Sequence, residues 1–555
     1  MLEPAAEVKL RDVDQDLLRS LMDQKVPGLA ARVLAGRGIS EAKKMFGGGN
    51  SKIAGISGGG AAKAAARIAE AVSNNKRICF VTDFDADGVC AATIIGAFMR
   101  QLEAKYCIRF CRRGEVRGLD PEMVRTIDAD CASVIVTADN GISSVTAAEE
   151  AKRRGIELII TDHHKPGDVI PQAAAIANPM LPDSGLPAPK ICGAVVILLV
   201  MREAFRSIDA RIKPPNLLDI AAIATIADMM PMSEDFNRQI VASGISLIRS
   251  GHCQVGLKAI IGESKCRDFS SRDISFRVAP IINAAGRLGK AERAFACLEA
   301  DNFSKACELA RELEGYNRER RNLTKKMVKE AIAQIDNLGL PFNFAYSPEW
   351  PEGLFGLVAN KLLSGTGKPS IVLGKAGSTL RGSMRSIESI SAHEILASIK
   401  RRKPDLLGDF GGHAGAAGFA LKGNMDDLKK ELILEFATLL RDPPPAAPIY
   451  ADANPDFDEL CDGSSEYLAA LPWGRNFPEP LFLGNFTIER VNGAASGNGY
   501  NHRLDLNGRQ VVAWYRQEIG KPGEDLQILY RTASSRRKGS PPLLFIDSIH
   551  KNENP

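Results

Sequence analysis

At 555 residues the chain is expected to hold three or four domains of about 150 residues each. Its 45% hydrophobic and 25% charged content is that of an ordinary soluble globular protein with sizeable cores, and a net charge of +4 permits a nucleic-acid partner without demanding one. No apolar run reaches bilayer length and "MLEPAAEVKLRDVDQ" lacks signal-peptide design, which excludes a membrane role and places the protein in the cytoplasm; the eleven scattered cysteines read as buried, reduced thiols.

Residues 1 to 50 read as a segment of short helices. "AAKAAARIAEAVSNN" (61–75) has the apolar period of an amphipathic helix. Three Val/Ile-rich runs follow, "RICFVTD", "SVIVTAD" and "ELIITD", separated by helix-like stretches, which implies a parallel sheet covered on both faces. Each run ends in an aspartate: Asp83, Asp139 and Asp162. Ligands of open parallel sheets sit outside the carboxyl ends of the strands, so these acids are expected at one edge. Residues 300–336 form a long charged helix that connects this domain (51–298) to a second α/β domain (341–442). "PSIVLGKAG" and "TLRGSMRS" are strands there, and "GDFGGHAGAAGF" (408–419) is glycine-rich. "DPPPAAP" (442–448) reads as a stiff linker, and alternating segments beyond it (449–555) suggest a small antiparallel barrel.

The acids after the first run pose a physical problem. Asp83, Asp85 and Asp87 crowd one strand end, where at roughly 6 Å and an effective dielectric near 20 each pair repels by about 3 kcal/mol. A calcium-binding EF-hand loop does not answer it, because Ile94 stands where a bidentate Glu is required and a strand precedes the loop. Adding Asp139, Asp162, His163, His164 and Asp228 gives carboxylates and imidazoles suited to two Mn²⁺ or Mg²⁺ ions. A lone acid after a strand is most often a helix N-cap, but four acidic clusters on one edge exceed that role.

The ordered set Asp83-Phe84-Asp85-Ala86-Asp87-Gly88, Asp139-Asn140-Gly141 and Asp162-His163-His164 resembles the DHH phosphoesterase superfamily. With "LDIAAIATIADMMP" (218–231), "APIINAAGRL" (279–288), "EGYNRERR" (314–321), "RGSMRS" (381–386), "GGHAGAAGF" (411–419) and "LPWGRNFPEPLF" (471–482), the chain resembles the RecJ family of single-strand-specific 5′→3′ DNA exonucleases. The resemblance implies an α/β multidomain fold: a DHH domain and a DHHA1 domain joined by a long helix, then an OB-like β-barrel. It implies that Asp83, Asp85 and Asp139 hold one metal, that Asp87, Asp139, His163 and Asp228 hold the other, and that Asp162 orients a histidine. His164 and His413 would face the scissile phosphate, and Arg112, Asn283, Arg287, Ser383 and Arg385 would bind substrate, the arginines and Ser383 at its 5′-terminal phosphate. Implied partners are single-stranded DNA, a single-strand-binding protein and a RecQ-type helicase, with the protein itself a monomer.

The chain departs from the family pattern at Val116-Arg117, Ile281 and Trp350-Pro351, all expected to touch DNA. Two other readings compete: a short-RNA or cyclic-dinucleotide phosphodiesterase of the same superfamily, and an inactive DHH scaffold. Retention of every expected carboxylate argues against the scaffold. Trp514 and Tyr515 are adjacent on a barrel strand and so face opposite sides, one of them inward.

Overall fold

Ile78–Thr82 (β1) is buried at all five positions, as a β-branched run covered on both faces must be. The computed structural model describes residues 7–46, 53–111, 118–129, 132–266, 269–335, 339–439, 448–495, 499–506, 508–515, 519–533 and 541–550. After β1 come helix α1 (Ala86–Gln101), β2 (Tyr106–Phe110), β3 (Val134–Ala138), α2 (Val145–Arg153), β4 (Glu157–Thr161) and β5 (Ala175–Ala177). The sheet is parallel throughout, in the order β2-β1-β3-β4-β5. The strand order reverses at β1, so the crevice of this doubly wound sheet opens beyond the carboxyl ends of β1 and β3. Helices α3 (Gly193–Ile208), α4 (Leu218–Ala227) and α5 (Ala279–Arg287) pack on this unit.

Helix α6 (Phe303–Ile335) is the expected connector, 33 residues without a break. It leads to β6 (Asn343–Tyr346), α7 (Phe355–Thr366), β7 (Ser370–Ala376), β8 (Thr379–Arg385), β9 (Leu407–His413) and β10 (Ala416–Leu421). Their sheet has the order β9-β10-β8-β7-β6, parallel only between β6 and β7. The glycine-rich stretch is therefore a hairpin, with His413 at its turn.

Strands β11 (Phe482–Ala495), β12 (Gly499–Leu506), β13 (Arg509–Tyr515), β14 (Asp525–Thr532) and β15 (Leu544–His550) close a barrel in the order β11-β12-β13-β15-β14. The expectation of an antiparallel barrel needs one correction: β13 and β15 pair in parallel through Ala513 and Trp514. Neither Trp514 nor Tyr515 is fully buried; Tyr515 packs on the core, and the Trp514 ring meets Phe545 at 6.1 Å. The first 50 residues hold more than helices, since Val8–Leu10 pairs in parallel with Ile449–Ala451. Arg37 seals that junction with bonds of 2.7 Å from Nε and from Nη2 to the buried Asp452 carboxylate. The linker residues 442–447 lie outside the described residues.

A main core runs from Phe80 and Val136 of the first sheet through Trp473 to Phe482 of the barrel, and a second lies under Phe344, Met384 and Leu428. The described cysteines are free, half of them buried and half partly so. Among the described residues no helix is long and apolar enough to cross a membrane.

Candidate two-metal centre

Both α1 and α3 are organised at their N-termini by acids of the first sheet. Asp85 caps α1, its Oδ1 accepting from the Asp87 and Gly88 amides at 2.9 and 3.2 Å. The N-cap role of a lone acid is thus real for Asp85, and it leaves the second carboxylate oxygen free for a cation. Asp87 reaches across to the first turn of α3: Oδ2 accepts from Gly193 at 2.7 Å and Oδ1 from Ala194 at 2.9 Å. These bonds satisfy two otherwise orphaned helix amides and fix the carboxylate in place.

Around this frame the six expected metal ligands converge. Asp83, Asp85 and Asp139 bring one oxygen each within 4.8 Å of one another, and Asp87, His163 and Asp228 do the same with their ligand atoms. Asp139 and His163 connect the two groups, with His163 Nε2 at 3.1 Å from Asp139 Oδ1, 3.5 Å from Asp228 Oδ2 and 3.8 Å from Asp87 Oδ2. His163 Nε2 and Asp228 Oδ2 are buried, and neither makes a hydrogen bond. A buried polar atom without a partner costs about 1–3 kcal/mol, so an imidazole nitrogen and carboxylate oxygens turned on one point call for a cation. Oxygen donors with one imidazole fit Mn²⁺ or Mg²⁺.

The electrostatics agree. Burial, then Asp87, Asp85, Asp83 and Asp228, push the Asp139 carboxyl well above the ordinary carboxylate range. Burial, then Asp87 and Asp85, do the same to Asp228, and burial with Asp87 raises Asp85. Burial and then His164 hold His163 low, in the neutral form that ligates a metal. A carboxyl raised in the folded state contributes stability at low pH and loses it as pH climbs through its folded value. The metal-free protein should therefore lose stability from about pH 4 upward, and manganese binding near neutrality should expel protons. Calorimetric titration of manganese in two buffers of different ionisation heat checks this; equal apparent heats would contradict it.

Asp162 Oδ1 accepts from the His164 amide and, at 2.8 Å, from His164 Nδ1, while Oδ2 accepts from the Ile142 amide at 2.9 Å. The histidine it orients is thus His164. Burial opposes the Asp162 charge, but His164 and the amides outweigh it and hold the carboxyl below its usual value. Burial likewise opposes protonation of His164, yet Asp162, Asp228 and Asp83 raise it to about 9 in the metal-free site. With Nδ1 engaged, only Nε2 remains available to a ligand.

The sequence alone singles out neither Gly193 nor Asn178. A Cβ on Gly193 would lie 2.6 Å from Asp139 Cβ and 2.7 Å from its Oδ1, so only glycine lets α3 approach the shared carboxylate. Gly193→Ala should cut activity about tenfold to a hundredfold, the scale of an ångström-sized misplacement, and weaken manganese uptake in the same titration. Asn178 donates to the His164 carbonyl at 2.9 Å. Such tertiary ties leave no local sequence signal.

A second cluster forms where the two α/β units meet. Arg287, at the end of α5, donates to the Gly353 carbonyl at 3.0 Å. Arg385 Nη1 donates to Ser383 Oγ at 2.8 Å, and a Cβ on Gly356 would collide with Arg385 Nη2 and lie 3.3 Å from Ser383 Oγ. Arg287, Ser383 and Arg385 therefore meet around residues 353–356. Asn283 does not point its oxygen to this cluster: Oδ1 accepts the Ala86 amide at 2.8 Å and steadies the acidic loop. His413 is exposed, its Nδ1 accepting from the Gly415 amide at 3.2 Å, which puts its proton on Nε2. Arg112, Val116 and Arg117 lie outside the described residues. One departure from the family pattern needs correction as a DNA contact, because Ile281 is 1% exposed; Pro351 is half-buried beside Trp350, whose Nε1 donates to Glu330 at 2.7 Å.

Comparison with known proteins matches the DHH family N-terminal domain to residues 77–225 and the DHHA1 domain to residues 339–438. The single-stranded-DNA-specific exonuclease RecJ of Salmonella typhimurium is 35% identical over 488 residues, 83% of this chain and 84% of that one. The Escherichia coli protein of the same name is 34% identical over 506 residues, 87% of each chain. The crystal structure of RecJ from Thermus thermophilus in complex with Mn²⁺ superposes with a TM-score of 0.84 at 27% identity, covering 99% of this chain and 80% of that one. Identity and coverage on that scale, together with the fold and the acidic edge, show that the chain belongs to the RecJ family.

Proposed function

We propose that this protein is a metal-dependent exonuclease that degrades single-stranded DNA from its 5′ end to mononucleotides, in recombination and repair. The observation that carries the proposal is the convergence of Asp83, Asp85, Asp87, Asp139, His163 and Asp228 around buried, unpartnered donor atoms. Asp139 would be the ligand common to both ions, with Asp83 and Asp85 holding one and Asp87, His163 and Asp228 the other. When bound, two divalent ions activate a water and neutralise charge on the phosphate.

The protein's own groups do the rest. Asp162 fixes the His164 ring through Nδ1, so that Nε2 faces the phosphate under attack. His413, with its proton on Nε2, donates to the same phosphate from the second α/β unit. Arg287, Ser383 and Arg385 bind the 5′-terminal phosphate, and guanidinium forks suit its oxygens. A pocket closed beyond that phosphate makes cutting end-dependent. On this reading single-strand specificity comes from a narrow entry between the α/β units, and the barrel, of a class that commonly binds single strands, guides the remainder.

On this reading the domains span 51–298, 341–442 and 449–555, with the connector at 299–340 and the helical segment at 1–50. The protein acts as a cytoplasmic monomer, and a single-strand-binding protein and a RecQ-type helicase supply its substrate. Digestion of 5′- and 3′-labelled single strands, duplexes and dinucleotides with Mn²⁺ or Mg²⁺ tests the activity. Mononucleotides should appear from the 5′ end of single strands only. Cutting of duplex, or of dinucleotides alone, would overturn the assignment in favour of another phosphodiesterase.

A further inference from the structure

The segment "LPWGRNFPEPLF" joins the linker to the barrel, and its arginine has no structural occupation. Trp473 is buried, its amide bonded to Ser271 Oγ at 3.2 Å and its Nε1 to the Leu468 carbonyl at 2.6 Å. Gly474 and Phe477 then exchange both backbone hydrogen bonds, at 2.9 and 3.1 Å, closing a two-residue turn. Arg475 and Asn476 form its tip, Asn476 with φ of 60°. The turn is fastened to the metal centre, because the Arg475 carbonyl accepts the Met232 amide at 2.8 Å, four residues beyond Asp228. The Arg475 side chain is exposed, and it makes no ion pair or hydrogen bond among the described residues.

The turn also lies against the segment that carries Asp228, since a Cβ on Gly474 would come within 2.7 Å of Met232 Cγ and 3.6 Å of Ile226 Cδ1. The exposed His413 is held low first by partial desolvation and next by the charges of Arg475 and Arg385. The anchored turn thus holds an exposed, unengaged guanidinium beside the Asp228 segment, where its charge acts on His413.

We propose that Arg475 is a substrate-binding residue that clamps the first phosphodiester of the strand, so that the segment before the barrel completes the active site. A guanidinium offers two parallel donors to the non-bridging oxygens, at the point where the carboxylates on the other side repel them. This rests on the exonuclease reading above, and the experiment separates the two. Binding of 5′-phosphorylated oligonucleotides is measured in EDTA, where no cleavage occurs, with a neutral methylphosphonate at the first linkage or at an interior one. Wild-type protein should lose affinity when the first linkage is neutralised. Arg475→Gln should bind the unmodified strand about tenfold more weakly, the scale of a charge-assisted hydrogen bond, and be insensitive to that neutralisation. Its salt slope should be shallower by about 0.7, the share of one phosphate contact on a single strand, and Arg475→Lys should recover part of both effects. If Arg475→Gln keeps the wild-type penalty at the first linkage, or changes manganese affinity alone, the clamp is wrong. The exonuclease reading fails separately, if an Asp139→Asn protein still degrades DNA.

Discussion

Asp139→Asn is expected to lower exonuclease turnover by roughly 10³-fold or more, the scale on which loss of a principal catalytic group falls, while making the metal-free protein harder to unfold. The two effects have opposite signs for one reason. Asp139 is 2% exposed and faces Asp87, Asp85, Asp83 and Asp228, so its charge is opposed by both burial and its neighbours. An amide of the same shape removes that repulsion and keeps the packing against Gly193. It also removes the anion shared by the two ligand groups, so manganese should no longer raise the unfolding temperature as it should in the wild type, where a ligand at a hundred times its Kd would contribute about 2.7 kcal/mol. The measurement is thermal unfolding with and without manganese beside a rate assay on single-stranded DNA. A variant that is inactive but equally stabilised by manganese would show that Asp139 acts on substrate and not on the ions.

The acidic edge is legible in the sequence because it follows from topology. Three apolar runs separated by helices make a parallel sheet, and the residue after each run must then emerge at the same end. Asp83, Asp139 and Asp162 need no further information to be placed together. Residues whose role depends on a distant backbone are less legible. Asp87 stands in the sequence as one more acid of a cluster, but its two oxygens are directed by the amides of Gly193 and Ala194, more than a hundred residues on.

The same limit explains the misreadings. The motif around Ile281 points to a DNA contact, whereas the helix turns this side chain into the core. A five-residue π-helical stretch, Ile274–Val278, precedes that helix and shifts the face each following residue presents. Alternation along Arg509–Tyr515 and Leu544–His550 marks strands but carries no direction of pairing, so the parallel closure of the barrel cannot be read from it. Val8–Leu10 is too short for any period to show, and its partner lies at Ile449–Ala451. Arg475 resembles a solvated surface charge in sequence; only the anchored turn places it at the site.

Pairing Arg287→Gln with Arg385→Gln should reduce discrimination in favour of 5′-phosphorylated over 5′-hydroxyl ends by about 10³-fold in kcat/KM, taking each hydrogen bond to a charged group at roughly 1.5–3 kcal/mol and allowing for incomplete additivity. The two side chains come from different units, α5 and β8, and meet at the turn 353–356 that opens α7. Burial lowers the Arg385 pKa, but a guanidinium starts high enough to stay charged, so the pocket remains cationic at neutral pH. Its ties to Ser383 Oγ and the Met384 carbonyl use Nη1 and hold the planar group against Gly356 before substrate arrives. The order that binding of a terminal dianion would need is therefore present before any ligand, and each glutamine removes charge while retaining much of the volume. The kinetic pattern distinguishes this role from simple support of the fold. Rates on 5′-hydroxyl strands should fall little, manganese binding should be unchanged, and the loss should concentrate on phosphorylated ends. A uniform fall on both substrates would place the arginines along the strand instead of at its end, and end dependence would then have to come from the shape of the closed pocket alone.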